Sequence, residues 1–141
     1  MDGDFAAGRY SRGHTISFDG GVAMPGSAAA ANVPAPFSDA AAVDPEEMFV
    51  ASLSACHMLW FLDLARRAGL IVEAYSDEAE GVLSRDGEGR LAMTRVVLRP
   101  AIRLSGAPRP GAVAALHHAA HQACFIANSV KTEVVVEPRD D

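Results

Sequence analysis

From Met48 to Leu62 polar positions nearly vanish: Ser52, Ser54 and His57 are the only interruptions in a run that includes Phe49, Val50, Leu53, Cys56, Met58, Leu59, Trp60 and Phe61. The residues at its ends frame the run as one helix over roughly 45–68. Asp44 is a strong N-cap, Pro45 suits the first helical position, and Glu47 stands where it can close a capping box. Glu46 and Glu47 sit at the positive end of the helix dipole, Arg66 and Arg67 fill the last turn, and Gly69 stops it. A surface that is apolar almost all the way round predicts burial on most sides. The run is shorter than the ~20 residues a bilayer span requires and holds two serines and a histidine, so a core helix is expected rather than a membrane span.

Elsewhere the period shortens to two. Ile16 and Phe18 alternate with Thr15, Ser17 and Asp19, Asp19-Gly20-Gly21 signals a turn, and Val22–Met24 reads as a return strand. Residues 25–43 are rich in Ala, Pro and Ser without any period; a connection of this length is either a meandering surface loop or a cover over a site. Residues 70–83 read as a strand weakened by Ser76-Asp77-Glu78, Arg85–Gly89 as a hairpin turn, and 91–104 as the clearest strand. In that strand Thr94, Val96, Leu98, Ile102 and Leu104 share one face, while Arg95, Val97, Arg99 and Arg103 share the other as a solvated row. Pro100 lacks the N–H a ladder needs and predicts an edge or a bulge. Pro108-Arg109-Pro110 opens a second helix to about Ala123, and residues 131–136 form a last strand.

Strands, long helix, hairpin, helix, strand: the order is α+β, with helices packed on an antiparallel sheet in a single domain spanning 1–141. One small sheet covers only one side of an all-round apolar helix, so a homodimer is expected to supply the rest. Composition narrows the function. A net charge of −6 on 141 residues, with no basic stripe, argues against a nucleic-acid partner. The acidic Met1-Asp2-Gly3-Asp4 start lacks an apolar signal core, and two cysteines do not make a disulfide scaffold; a cytoplasmic location is the expectation. There, a cysteine pair is catalytic, redox-active or simply buried.

Asp44-Pro45-Glu46-Glu47 followed by Ala51-Ser52-Leu53-Ser54-Ala55-Cys56 resembles the OsmC/Ohr family of thiol peroxidases. In that family an Asn/Asp-Pro-Glu segment opens the central helix and the reactive cysteine follows ten residues after the Glu, the spacing of Glu46 and Cys56. Cys124 matches the family's second cysteine, and the order of elements agrees over nearly the whole chain. The resemblance implies an OsmC-like fold, an intertwined homodimer and a cysteine-based peroxidase for organic hydroperoxides. It assigns the nucleophile to Cys56, the resolving thiol to Cys124 and, to Glu46, the anchoring of an arginine that keeps Cys56 ionised. That arginine is Arg12 or Arg9; Arg12 lies nearer the family's position. An outside thiol, of lipoyl type in the Ohr branch, resets the pair; no cofactor or metal is implied. His57 and Phe125 stand where the better-known branches carry an aromatic and a proline, which points to an OsmC-like side branch.

The chemistry has a physical basis. A thiolate, not a thiol, attacks peroxide, burial among Leu53, Met58 and Trp60 opposes its formation, and a bidentate arginine–carboxylate pair supplies a fixed cation. The attack yields a sulfenic acid that a second thiol converts to a disulfide. His57, next to Cys56, points about 100° away on the helix, so packing or hydrogen bonding is its expected role. Two rival classes remain. His117, His121 and Cys124 fall on one helical face and suit a metal site. A fold relative without turnover would instead bind a small ligand as a dimer.

Overall fold

Local signals set the ends of the long helix, α1 (Pro45–Arg67), in the computed structural model of the chain, which describes residues 3–139. The Asp44 carboxylate accepts from the Glu47 N–H (2.7 Å) and the Glu47 carboxylate accepts from the Asp44 N–H (3.0 Å), closing the capping box. At the other end Gly69 adopts φ 75°; its N–H donates to the Arg66 carbonyl, and the Leu70 N–H donates to the Ala65 carbonyl. These two bonds are a Schellman stop, which the left-handed conformation of glycine permits.

The described residues fall into two compact units that divide between Phe49 and Val50. In the first, β1 (Gly3–Asp4) pairs with β2 (Arg9–Tyr10), and β3 (His14–Ser17) pairs with β4 (Ala23–Gly26), both antiparallel. Ile16 faces Met24 in register, and the expected turn between them carries Gly21 at φ 89°. The aperiodic segment that follows is tied down by backbone bonds: Val43 returns to a parallel bridge with Gly26, and the Arg12 N–H donates to the Phe37 carbonyl. Ser27 is fully buried there, its hydroxyl accepting from the Asp39 N–H.

The second unit corrects two strands read as continuous. Residues 70–83 divide into β5 (Ile71–Asp77) and β6 (Glu80–Arg85); residues 91–104 divide into β7 (Leu91–Leu98) and β8 (Pro100–Ser105). β5 pairs with β8 and β6 with β7, so one long hairpin is broken at the same level on both arms. Proline lacks a ladder donor on one arm. On the other, the Asp77 carboxylate accepts from the Ser54 hydroxyl and from the Arg99 N–H. The last strand, β9 (Glu133–Val136), joins β7 in parallel, with Arg95 opposite Glu133, whereas the other strand pairs among the described residues are antiparallel. A parallel pairing needs a crossover, and α2 (Ala112–Ala123) provides it. That helix starts four residues later than Pro108, because Gly111 holds a left-handed φ of 78°.

The arginine row behaves as a solvated face: Arg95, Arg99 and Arg103 pair with Glu133, Glu80 and Glu73. Exposed pairs of this kind contribute little to stability. The period-two reading failed at one point, since Val97 is buried along with Val96 and Leu98.

Within the chain α1 is buried along one stripe, Leu53, His57, Phe61 and Ala65, spaced by four, rather than on most sides. Phe61, Ala65 and Ala120 form the fully buried centre, packed by Trp60, Leu64, Tyr75, Ile102 and Leu116. Burying Phe61 alone is worth roughly 1.5–3 kcal/mol. Ala51, Ser52, Ala55 and Leu59 are exposed on other faces of α1. By length and composition alone α1 would suffice to cross a membrane; within the chain it is buried along the one stripe.

Candidate active site

Cys56 lies in the middle of α1, half-buried, one position before the buried stripe. Cys124 ends α2: its backbone leaves the helix at φ −65°, ψ 111°, and the side chain is 1% exposed. The two thiols are free, and Cys56 is near enough to Cys124 to perturb its thiol. The Ala127 N–H also donates to the Cys124 sulfur at 3.4 Å. Burial, then the contact with Cys56, pushes the Cys124 thiol up to about 11, against the smaller pull of the Ala127 and Ile126 N–H groups. Cys124 therefore holds its proton at neutral pH and can donate it to the Cys56 sulfur.

The two cysteines differ in access. A groove of about 560 Å³ runs along α1, and Cys56 lines it with Ala55, Leu59, Trp60, Phe125 and Ile126. Its walls are almost entirely apolar; Trp60 and Phe125 meet edge to face at 5.4 Å, and Leu59 and Phe125 stand 62% and 67% exposed. A molecule entering the groove meets Cys56 first, with Cys124 behind it.

One contact beside the thiols went unread in the sequence. His57 Nε2 and His117 Nδ1 hydrogen-bond at 3.0 Å, both rings buried, with ring planes 4° apart. His117 also stacks on Phe61 at 4.4 Å. This bears out a hydrogen-bonding role for His57. The signal for its partner was present: His117 lies two turns before Cys124 on the same face of α2. On that face His117 packs against α1 through His57 and Phe61. Among the described residues, no three His, Cys, Asp or Glu side chains stand close enough to hold a metal ion. His117 is engaged by His57 and Cys124 by Cys56, so the His117, His121 and Cys124 set does not converge.

Burial holds both imidazoles well below their usual range, each at about 4. Repulsion from His117 and His121 adds to the effect at His57, and Asp77 partly offsets it at His117. Unfolded histidine takes a proton near pH 6.5, the folded pair only near 4. Between those values the unfolded chain binds more protons, so stability falls as pH drops through this window. Melting temperatures measured from pH 7 to 4 should decline more steeply for the native chain than for His57→Gln/His117→Asn, which has neither imidazole; equal slopes would contradict the assignment.

Arg12, Arg9 and Glu46 belong to the first unit. The Arg12 guanidinium lies 3.6 Å over the Tyr10 ring and donates to the Gly8 and Tyr10 carbonyls; Arg9 pairs with Asp4 at 3.1 Å. Among the described residues neither arginine forms an ion pair with Glu46. The donors of Arg12 go to its own turn instead.

The chain as a whole has counterparts among known proteins. The OsmC-like protein family matches residues 38–139, and the chain belongs to that family. A solved OsmC-like protein of unknown function from Vibrio cholerae is 49% identical, with a TM-score of 0.92 over 96% of this chain and 89% of that one. An organic hydroperoxide resistance protein OsmC from Legionella pneumophila shares 22% identity and a TM-score of 0.69, covering 92% of this chain and 90% of that one. A third, an organic hydroperoxide resistance protein from Elizabethkingia anophelis, has 19% identity and a TM-score of 0.70, covering 92% and 89%. The last two establish a shared fold. No curated protein matches the chain.

Proposed function

We propose that the protein is a thiol-dependent peroxidase for organic hydroperoxides. The observation that carries the reading is a groove-lining Cys56 close enough to the buried Cys124 to push its thiol up. The Cys56 thiolate attacks the outer oxygen of ROOH; the O–O bond breaks, the sulfur becomes a sulfenic acid, and the alkoxide leaves as ROH with a proton. The sulfur of Cys124 then attacks the sulfenic sulfur, the disulfide forms, and water departs with the Cys124 proton. A dithiol reductant, of lipoyl type, reopens the disulfide by exchange and is itself oxidised.

Arg12 is the cation assigned to the Cys56 thiolate, and Glu46 the carboxylate assigned to orient it in the assembled enzyme. The reading includes one functional domain over 1–141, a cytoplasmic location, and a homodimer whose second copy covers exposed apolar residues of α1 such as Leu59. The apolar walls favour the alkyl group of an organic hydroperoxide, which buries surface that hydrogen peroxide does not have. Consumption of cumene hydroperoxide and of hydrogen peroxide is to be followed with dithiothreitol and with dihydrolipoamide. The expected result is a higher kcat/KM for the organic substrate; no consumption of either peroxide with either reductant would remove the proposal.

A further inference from the structure

The seam between α1 and α2 is apolar around Phe61, Ala65 and Ala120, and it contains two polar contacts in parallel. One is the His57–His117 hydrogen bond at 3.0 Å; in the other, Cys56 lies near enough to Cys124 to perturb its thiol. Their spacing ties them together. His57 is the next residue after Cys56 on α1, and His117 lies seven residues, about 10.5 Å of helix, before Cys124 on α2. The hydrophobic effect is non-directional, whereas a hydrogen bond adds a directed constraint on how one helix sits against its neighbour. A disulfide tolerates little of that, since its Cβ atoms must approach within roughly 3.5–4.5 Å.

The histidine pair is also an expensive way to fill a core. His57 Nδ1 and His117 Nε2 are buried without a hydrogen-bond partner. Replacing two such rings by apolar side chains of similar size is neutral or stabilising when stability is the only criterion. What apolar side chains cannot supply is a directed bond that fixes the register and rotation of α2 on α1.

We infer that His57 and His117 are positioning residues: their hydrogen bond clamps α2 against α1 so that the Cys124 sulfur stays within disulfide-forming reach of Cys56. The inference rests on Cys56 and Cys124 being a redox pair, as proposed above, but not on peroxide being the oxidant. The clamp acts on any reaction that joins the two sulfurs.

The test is the thiol–disulfide equilibrium of the full chain in glutathione buffers: the dithiol plus oxidised glutathione gives the protein disulfide plus two reduced glutathiones. His57→Leu/His117→Leu is expected to shift this equilibrium towards the dithiol by about tenfold, the scale of one lost hydrogen bond, while its melting temperature at pH 7 is maintained or rises. His57→Gln/His117→Asn is expected to restore the native equilibrium, because the glutamine amide reaches the position of His57 Nε2 and the asparagine amide that of His117 Nδ1. Should the leucine variant fail to fold, His117→Asn is compared with His117→Gln, whose amide is displaced by one methylene. The asparagine is expected to keep the native equilibrium and the glutamine to lose it. Equal equilibria in the leucine variant and the native chain, or in the Asn and Gln variants, would overturn the clamp. Failure of the native chain to form the disulfide at all would instead count against the proposed function.

Discussion

Cys56→Ser is expected to reduce hydroperoxide consumption by roughly 10³-fold or more, to the background of the reductant alone, as removal of a nucleophile does elsewhere. The serine hydroxyl is nearly isosteric but neither ionises near neutral pH nor attacks a peroxide oxygen. The substitution leaves the fold in place: Cys56 is only half-buried and lies off the stripe of Leu53, His57, Phe61 and Ala65 that anchors α1. Loss of activity with an unchanged melting temperature is therefore the expected pairing, read by a peroxide assay and a thermal melt on the same preparation. Residual turnover close to that of the native chain would mean that the chemistry belongs elsewhere.

Cys124→Ser is expected to leave the first step and remove the second. With Cys124 replaced, the sulfenic acid at Cys56 persists and faces an open groove, where a second equivalent of peroxide takes it irreversibly to the sulfinic acid. Activity should start near the native rate and decay within a few turnovers, with intact mass showing two oxygens added at Cys56. The new hydroxyl at this buried position can still accept from the Ala127 N–H, so the site remains satisfied. A steady rate equal to that of the native chain would show that the outside thiol resolves the sulfenic acid directly.

How much of this was legible beforehand depended on distance along the chain. Both ends of α1 could be read because their signals are local: Asp44 and Glu47 close a box within one turn, and Gly69 stops the helix with bonds to Ala65 and Arg66. The breaks at Asp77–Glu80 and Leu98–Pro100 were foreshadowed by a weak stretch and a proline. The choice of partners, β5 with β8 and β6 with β7, is a tertiary fact that periodicity does not carry.

The thiol pair was visible only through family resemblance, since Cys124 lies 68 positions after Cys56 and spacing alone does not bring them together. The face shared by His117, His121 and Cys124 was recognised as a face and weighed as a rival metal site, because a sequence does not say what a face meets. It meets α1. Arg12 shows the converse: the resemblance names a residue type and a neighbourhood, whereas the guanidinium here is held by Tyr10 and Gly8. The affinity of an arginine for aromatic faces and turn carbonyls depends on conformation as well as on which carboxylates lie near in sequence.

The central claim is that the Cys56 and Cys124 sulfurs, one on α1 and one at the end of α2, become one disulfide when a peroxide reaches the outer of them. Peptide mapping of the reduced protein after one equivalent of cumene hydroperoxide and rapid alkylation measures this directly. The account predicts a Cys56–Cys124 cross-linked peptide as the main product, with neither thiol alkylated. Two fully alkylated cysteines, or oxidation that begins at Cys124 and spares Cys56, would contradict it.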